Sequence, residues 1–250
     1  AFRNPWEQRV TLGKPWDQVA GNPNTTEAAE RILAIAVRYA RQPAKLGSAV
    51  MRNTTLTQRD GTVLAMTTAY AAVLGMLVEG HTLDVRISDK LMARVKQGVL
   101  PFHVVTTGNY QAPREGAADV YALGQFPSPD ALLTPSFIAR AARDPGIRIE
   151  PAWKASLVYG MPCAIYHQFP AAYYLAARFA DDFESAVLHA VNGGGQNQAR
   201  AILVGALAGA HVGLSNIPQR FIAGLDNHAE LLRLADVLAQ QAEDDAQPAK

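Results

Sequence analysis

The feature that most constrains this chain is a glycine-rich loop that runs directly into a small-residue segment. The loop, Asn192-Gly193-Gly194-Gly195-Gln196-Asn197-Gln198, holds three consecutive glycines. Because a glycine costs a helix interior about 1 kcal/mol relative to alanine, this run predicts a break in helical structure. The segment that follows is apolar, and its glycines recur at every fourth position, so they share one helix face. The sequence therefore predicts a buried helix whose glycine face (Gly205, Gly209, Gly213) admits another backbone.

A loop that opens a helix exposes N–H groups at the positive end of the helix dipole. Such an end favours an anion, although at the local level a plain tight connection is the better explanation of the glycines. A membrane span is a poorer interpretation. The apolar run is interrupted by His211 and is well short of the roughly 20 residues that a span needs.

The composition is that of a globular protein. Among 250 residues, 49% are hydrophobic and 18% are charged, with a formal net charge of +1. This balance excludes a strongly basic surface for nucleic acid or membrane, so neither partner is expected. The single cysteine, Cys163, rules out an intrachain disulfide framework and fits a reducing cytosol. We therefore expect a cytoplasmic protein with a single domain over 1–250.

Helix signals recur along most of the chain. Asp60 is placed to cap an apolar helix that ends at Gly80, and a further helix starts at Asp182 and leads to the glycine loop. Between the helices we expect an irregular arm at 1–23, a long loop at 100–129 and a frayed tail at 243–250. The other predicted helices are 27–41, 89–99, short helices opening at Pro129-Asp130 and Pro135-Ser136, 170–179, and 227–242.

Local motifs alone do not reveal a catalytic site. The histidines lack the spacing of a zinc site, and there is no phosphate-binding P-loop. His167, in the Gly-, Pro- and aromatic-rich segment that also holds Tyr166, is the histidine we would place near a ligand, although a lone histidine is more often structural. Tyr110 and Tyr121 could stack on an adenine, but packing is the better interpretation.

The stretch from Asn192 to Gly213, followed by Leu214-Ser215-Asn216-Ile217-Pro218-Gln219-Arg220-Phe221, resembles the C-terminal signature of the ADP-ribosylglycohydrolase family. These all-α enzymes hydrolyse the glycosidic bond between ADP-ribose and a protein side chain. The resemblance extends weakly to 27–80, where Gln58 stands at the position of a ligand-contacting histidine. It implies an all-α, compact bundle of helices around the glycine-rich helix.

The metal ligands of the family do not match. The family's two loop aspartates, which hold Mg²⁺, fall on Gln196 and Gln198, and its threonine falls on Ala199. Magnesium prefers carboxylate oxygens, and alanine offers no ligand. We therefore predict no metal ligand and no cofactor from this chain, although Mg²⁺ is expected for the family. The family's N-terminal Gly-Asp and Thr-Asp-Asp-Thr motifs are not found, so an N-terminal segment is expected to be absent.

Three hypotheses follow. The chain hydrolyses an N- or O-glycosidic bond of ADP-ribose or a related nucleotide-ribose with an altered metal site. Alternatively, it is a non-catalytic relative that binds ADP-ribose or a protein partner, or a structural, crystallin-like protein. The expected ligand is a small ADP-ribose-like molecule or an ADP-ribosylated protein. No catalytic residue is assigned, and the predicted ligand-binding residues are Asn192, Gly193, Gly194, Gly195, Gln196, Asn197, Gln198, Gln58, Tyr166 and His167.

Overall fold

The computed structural model describes residues 2–102 and 130–246, which form an all-α fold, as predicted. Within these residues the extended pairing consists of two isolated bridges. Most of the predicted long loop, including Tyr110 and Tyr121, lies outside the described residues, and so does the end of the predicted tail. The α-helices are α1 Arg3–Trp6, α2 Glu27–Arg31, α3 Leu33–Arg38, α4 Pro43–Thr54, α5 Gly61–Val78, α6 Ile87–Lys96, α7 Asp130–Arg143, α8 Ala155–Tyr159, α9 Ile165–Arg178, α10 Phe183–Asn192, α11 Asn197–Val212, α12 Gln219–Ala223 and α13 His228–Ala246.

Helix α5 lies at the centre of the fold. Its N-terminus is capped as predicted, since the Asp60 carboxylate accepts a hydrogen bond of 2.9 Å from the Val63 N–H, and Gly80 follows its end with a φ of +88°. It packs against α2, α3, α4, α6, α7, α9 and α11. By length and hydropathy it is the one described helix that could cross a membrane, but 78% of it is buried inside the protein.

The glycine-rich helix α11 lies against α5, and the Tyr70 hydroxyl of α5 donates a 2.8 Å hydrogen bond to the carbonyl of Leu203. A Cβ added at Gly205 would lie 3.8 Å from Val187, and one at Gly209 would lie 3.7 Å from Phe183. These are ordinary van der Waals distances to side chains of α10. The prediction that the glycine row admits a second backbone was therefore wrong, because side chains of α10 pack over Gly205 and Gly209, and Gly213, which follows α11, is exposed and has no described neighbour within 4 Å of an added Cβ.

Two predicted helices begin earlier than their prolines suggested. Pro135 lies inside α7, which is one continuous helix rather than two short ones. Pro170 lies inside α9, which begins at Ile165 rather than at the proline. Proline is most common in the first turn of a helix, which is why the sequence placed the starts there. In α7 and α9 the proline instead lies inside the helix, although it has no backbone N–H to donate there.

The N-terminal part of the chain is more helical than expected. The predicted irregular arm contains α1 and a π-helical turn, Glu7–Thr11. The predicted helix 27–41 is broken at Ile32 into α2 and α3, and α4 follows without having been predicted. The predicted helix 89–99 is α6, which begins two residues earlier, at Ile87, and ends at Lys96. Ser88 lies inside it, and its N–H donates to the Ser136 hydroxyl of α7 over 2.8 Å.

At the C-terminus, α13 runs to Ala246 and so includes the first residues of the predicted tail. None of its residues is buried, and it packs against α3, where Arg38 and Asp245 form a 2.9 Å ion pair. The residues that position the glycine loop therefore belong to the body of the fold, not to this helix.

Candidate functional site

Three chain segments meet where α9 and α11 begin. Thr25 pairs with Ala164 in an antiparallel bridge, and the Ile165 N–H donates to the carbonyl of Asn24 over 2.7 Å. The N–H of Gln196 donates to the carbonyl of Met161 over 3.0 Å. We call this region, made of residues 21–28, 57–60, 159–168 and 192–200, the loop end. These ranges include all ten of the residues that the sequence predicted for ligand binding.

The glycine loop adopts a conformation that requires glycine. Gly193 is right-handed, with φ −70° and ψ −7°, whereas Gly194 and Gly195 have φ values of +68° and +59°. A Cβ added at Gly195 would lie 2.6 Å from the Cβ of Met161, so no side chain fits there. A right-handed residue followed by a left-handed one turns successive N–H groups towards one side, which makes an anion-binding concavity.

The loop has a clear polarity. The carbonyl of Gly193 accepts a 2.5 Å hydrogen bond from the Ser156 hydroxyl, that of Gly194 accepts from the Arg200 guanidinium, and that of Gly195 accepts from the Asn197 N–H over 2.8 Å. In contrast, the N–H groups of Gly194 and Gly195 donate to none of the described residues. The carbonyl oxygens of the three glycines are therefore occupied by hydrogen bonds within the protein, whereas the N–H groups of Gly194 and Gly195 remain available as donors.

The N-terminus of α11 is open. Gln196 occupies the N-cap position, but its side chain makes no capping hydrogen bond. Gln196 and Gln198 are exposed, and the Asn197 side chain donates to the carbonyl of Val191 over 3.2 Å. Since no side chain caps the helix, a ligand can accept hydrogen bonds from its first turn.

Arg200 lies fully buried beneath the loop and was missed by the sequence analysis. Its Nε donates to the carbonyl of Ala190 over 3.0 Å, and its Nη1 lies 3.5 Å from Oε1 of Gln168. Gln168, also fully buried, donates to the carbonyl of Pro162 over 2.6 Å and so joins the 159–168 segment to the same network. Arg200 stands where the polar loop meets the apolar run, and a charged residue at that junction was the signal that could have identified this network.

Tyr166 and His167 lie at the start of α9, within the loop end. The Tyr166 side chain is 48% exposed, and its hydroxyl accepts a 3.1 Å hydrogen bond from Asn24. His167 Nδ1 lies 2.6 Å from the carbonyl of Tyr159. Because a carbonyl only accepts, this nitrogen carries a proton, and in the neutral imidazole Nε2 is then the acceptor.

Gln58 lies at the loop end but not at its surface. It is fully buried, where its Oε1 accepts from the Ala28 N–H over 2.9 Å and its Nε2 donates to the carbonyls of Pro23 and Thr25. In this position Gln58 holds the 21–28 segment in place.

Asn192, at the other edge of the glycine loop, lines a cavity of about 520 Å³ together with Asp182 and His189.

The residues of the loop do not fit a magnesium ion. Gln196 and Gln198 offer neutral amides, Ala199 is buried and offers no ligand, and the glycine carbonyls are already hydrogen-bonded. Among the described residues, no group of three or more His, Cys, Asp or Glu side chains is arranged to hold a metal. Magnesium needs near-octahedral oxygen ligands, so this donor set is too poor.

In a comparison with known protein families, residues 1–248 match the family described as ADP-ribosylglycohydrolase. The match covers essentially the whole chain, and it is therefore not confined to the C-terminal portion that carried the resemblance in the sequence. Among curated proteins, no sequence matches the chain.

Proposed function

Since this chain belongs to the ADP-ribosylglycohydrolase family, we propose that it binds an ADP-ribose-type ligand at the loop end and hydrolyses the glycosidic bond of the ADP-ribosyl group. The ligand is either a small molecule or an ADP-ribosyl group carried by a protein. The observation that supports this proposal most directly is the polarity of the glycine loop. Its carbonyls accept hydrogen bonds from neighbouring residues, whereas the N–H groups of Gly194 and Gly195 donate to none of the described residues.

This polarity suits a diphosphate. A phosphate oxygen accepts hydrogen bonds and carries negative charge, so it is stabilised by free N–H groups at the positive end of a helix dipole. The 16-residue helix α11 supplies that dipole. The exposed amides of Gln196 and Gln198 can add neutral hydrogen bonds to ribose or phosphate.

The start of α9 supplies the remaining contacts in this proposal. The half-exposed ring of Tyr166 offers an apolar face for a base or a ribose, and Nε2 of His167 offers an acceptor for a ribose hydroxyl. Both lie in the segment that the Gln196–Met161 hydrogen bond ties to the loop. The ligand would therefore lie across the two segments.

Hydrolysis needs a group that activates water, and the loop residues 192–198 hold no carboxylate. At the loop end the carboxylates are those of Glu27 and Asp60. Asp60 caps α5. Glu27 stands on the first turn of α2, beside the segment that the Thr25–Ala164 bridge joins to the start of α9, and it accepts a hydrogen bond from the Thr25 hydroxyl. We assign Glu27 as the candidate base because of this position beside the start of α9. Glu27→Gln should reduce hydrolysis of an ADP-ribosylated peptide at least about a hundredfold while ADP-ribose affinity changes little.

The second candidate is ligand binding without turnover, which the absence of a carboxylate in the loop favours. Calorimetry with ADP-ribose, together with chromatographic detection of ADP-ribose released from ADP-ribosyl-arginine or ADP-ribosyl-serine, separates the candidates. Binding with release supports the hydrolase, and binding without release supports the second candidate. A chain that neither binds nor releases ADP-ribose would leave the structural, crystallin-like role.

The loop itself is tested by Gly194→Val. A side chain at this left-handed position turns the neighbouring N–H groups away from their concavity, so we expect the Kd for ADP-ribose to rise at least about tenfold. Gly98→Val is the matched control, because Gly98 also has a positive φ (+72°) but lies at the end of α6 with open space around it. Equal affinities of the two variants would remove the loop from the site.

A further inference from the structure

Among the described residues, the buried guanidinium of Arg200 has no carboxylate partner. It is fully buried, and each acceptor that it contacts is neutral: the carbonyls of Ala190 and Gly194 and the amide oxygen of Gln168. None of the ion pairs between described residues includes it. Since arginine stays protonated in proteins, a full positive charge lies beneath the glycine loop.

The C-terminal end of α10 stabilises this charge. Ala190 lies in the last turn of α10, whose unpaired carbonyls form the negative end of the helix dipole. Gly194 contributes a carbonyl from the loop itself. A charge that is compensated only by dipoles keeps its long-range field, because no opposite charge cancels it.

Hydrogen bonds from Arg200 and Ser156 occupy the carbonyl oxygens that a bound cation would need as ligands. Arg200 occupies the carbonyl of Gly194, while the hydroxyl of Ser156 occupies that of Gly193. The side chains at 196, 198 and 199 bring no negative charge to offset the guanidinium. A divalent cation at this loop would therefore meet both a poor donor set and a repulsive charge.

We propose that Arg200 takes the place of a metal ion in this chain, fixing the glycine loop from below and excluding divalent cations from it. The proposal deepens the proposed function, on which it rests for the identity of the ligand, by making ligand binding at the loop independent of metal. It assigns to Arg200 a positioning and cation-excluding role. Arg200 does not itself touch the ligand.

The decisive experiment restores the family's ligands with and without the arginine. In Gln196→Asp/Gln198→Asp/Ala199→Thr, calorimetric titration with Mg²⁺ and with Mn²⁺ should show no binding with a Kd below about 1 mM. Adding Arg200→Met, which keeps length but removes the charge, should tighten the Kd at least about tenfold, and adding Arg200→Lys, which keeps the charge, should not. Submillimolar binding in the triple variant with Arg200 intact would overturn the proposal, even if the Met variant fails to fold.

The unmodified chain gives an independent test. Its Kd for ADP-ribose should agree within about twofold in EDTA and in millimolar Mg²⁺. A tenfold dependence on Mg²⁺ would contradict the metal-independent loop. If ADP-ribose does not bind under either condition, the proposed ligand falls, whereas the metal titration of the triple variant still decides the role of Arg200.

Discussion

Helices α5 and α11 lie side by side in the fold, but their N-termini differ. At α5, the Asp60 carboxylate accepts the Val63 N–H, so the helix satisfies its own first turn. At α11, the N-cap Gln196 makes no such bond and its side chain is exposed. The first helix start is capped by a side chain of this chain, and the second has no side-chain cap.

The two helices also differ in how they hold charge. The 18 residues of α5 include none with a charged side chain, and burial against seven neighbouring helices fixes its position. In α11 a charged side chain, Arg200, is buried within the first turns and is held by carbonyls. One helix contributes to stability through apolar area, and the other accepts a buried charge next to the candidate site. The energetic cost of burying a charge is typical of functional sites.

The largest effect should come from the core of α5. Leu74 is almost fully buried there, so Leu74→Ala should lower the free energy of unfolding by about 3 kcal/mol through lost burial and the cavity left behind. Urea denaturation measures the change. Leu231→Ala in α13, where the side chain is 48% exposed, is the control with the same chemistry and should change stability by less than about 0.5 kcal/mol. Similar losses in both variants would show that α5 is not the centre of stability.

A smaller effect should come from the loop before α11. Gly195→Ala places a Cβ 2.6 Å from Met161 Cβ at a φ of +59°, which should cost about 2 kcal/mol of stability. Gly80, after α5, has a φ of +88° with open space around it, so Gly80→Ala should cost only the conformational strain, about 1 kcal/mol. Thermal and urea denaturation of both variants compare the two positions. A larger loss at Gly80 would contradict the close packing of the loop on Met161.

The sequence was sufficient to predict those features whose causes are local. The cap at Asp60, the stop at Gly80 and the break at Gly193–Gly195 depend on residues within one turn of each other, and the structure confirms them. The burial of Arg200 depends on Ala190, Gly194 and Gln168, and the last of these lies 32 residues away. Side chains that meet only after folding cannot be paired from spacing alone, which is why Arg200 was missed.

The same reasoning explains the error at the glycine row. Gly205 and Gly209 were expected to face a backbone, but which surface packs on them is decided by the approach of α10, not by the spacing. The burial of Gln58, which donates to the carbonyls of Pro23 and Thr25, likewise depends on segments more than 30 residues away in the sequence. Tertiary contacts therefore decide the surroundings of both positions.

A direct test of the comparison removes the side chain at each N-cap. Asp60→Ala should lower the free energy of unfolding by about 1 kcal/mol, because the Val63 N–H loses its acceptor. Gln196→Ala should change stability by less than about 0.5 kcal/mol, since no capping bond is lost, but should weaken ADP-ribose binding. The two variants are compared by urea denaturation and by calorimetry. If Gln196→Ala destabilises the chain as much as Asp60→Ala, the start of α11 is not open.

The smallest effect concerns α10, whose start follows the pattern of α5. The Asp182 carboxyl accepts one hydrogen bond from the Ser185 hydroxyl and one from the Ser185 N–H. These two bonds, of which the hydroxyl's has the larger effect, hold the pKa of the carboxyl below its usual range. Because the folded-state pKa is lower than that of the unfolded chain, the ionised carboxylate stabilises the fold above about pH 4, and this contribution is lost as pH falls through the folded-state value.

Asp182→Asn keeps a cap but removes the titration. Urea denaturation between pH 3 and pH 7 should therefore show the natural chain losing stability relative to the variant as the pH falls below about 4; a constant difference would mean that the carboxylate is not held by Ser185 in the folded state.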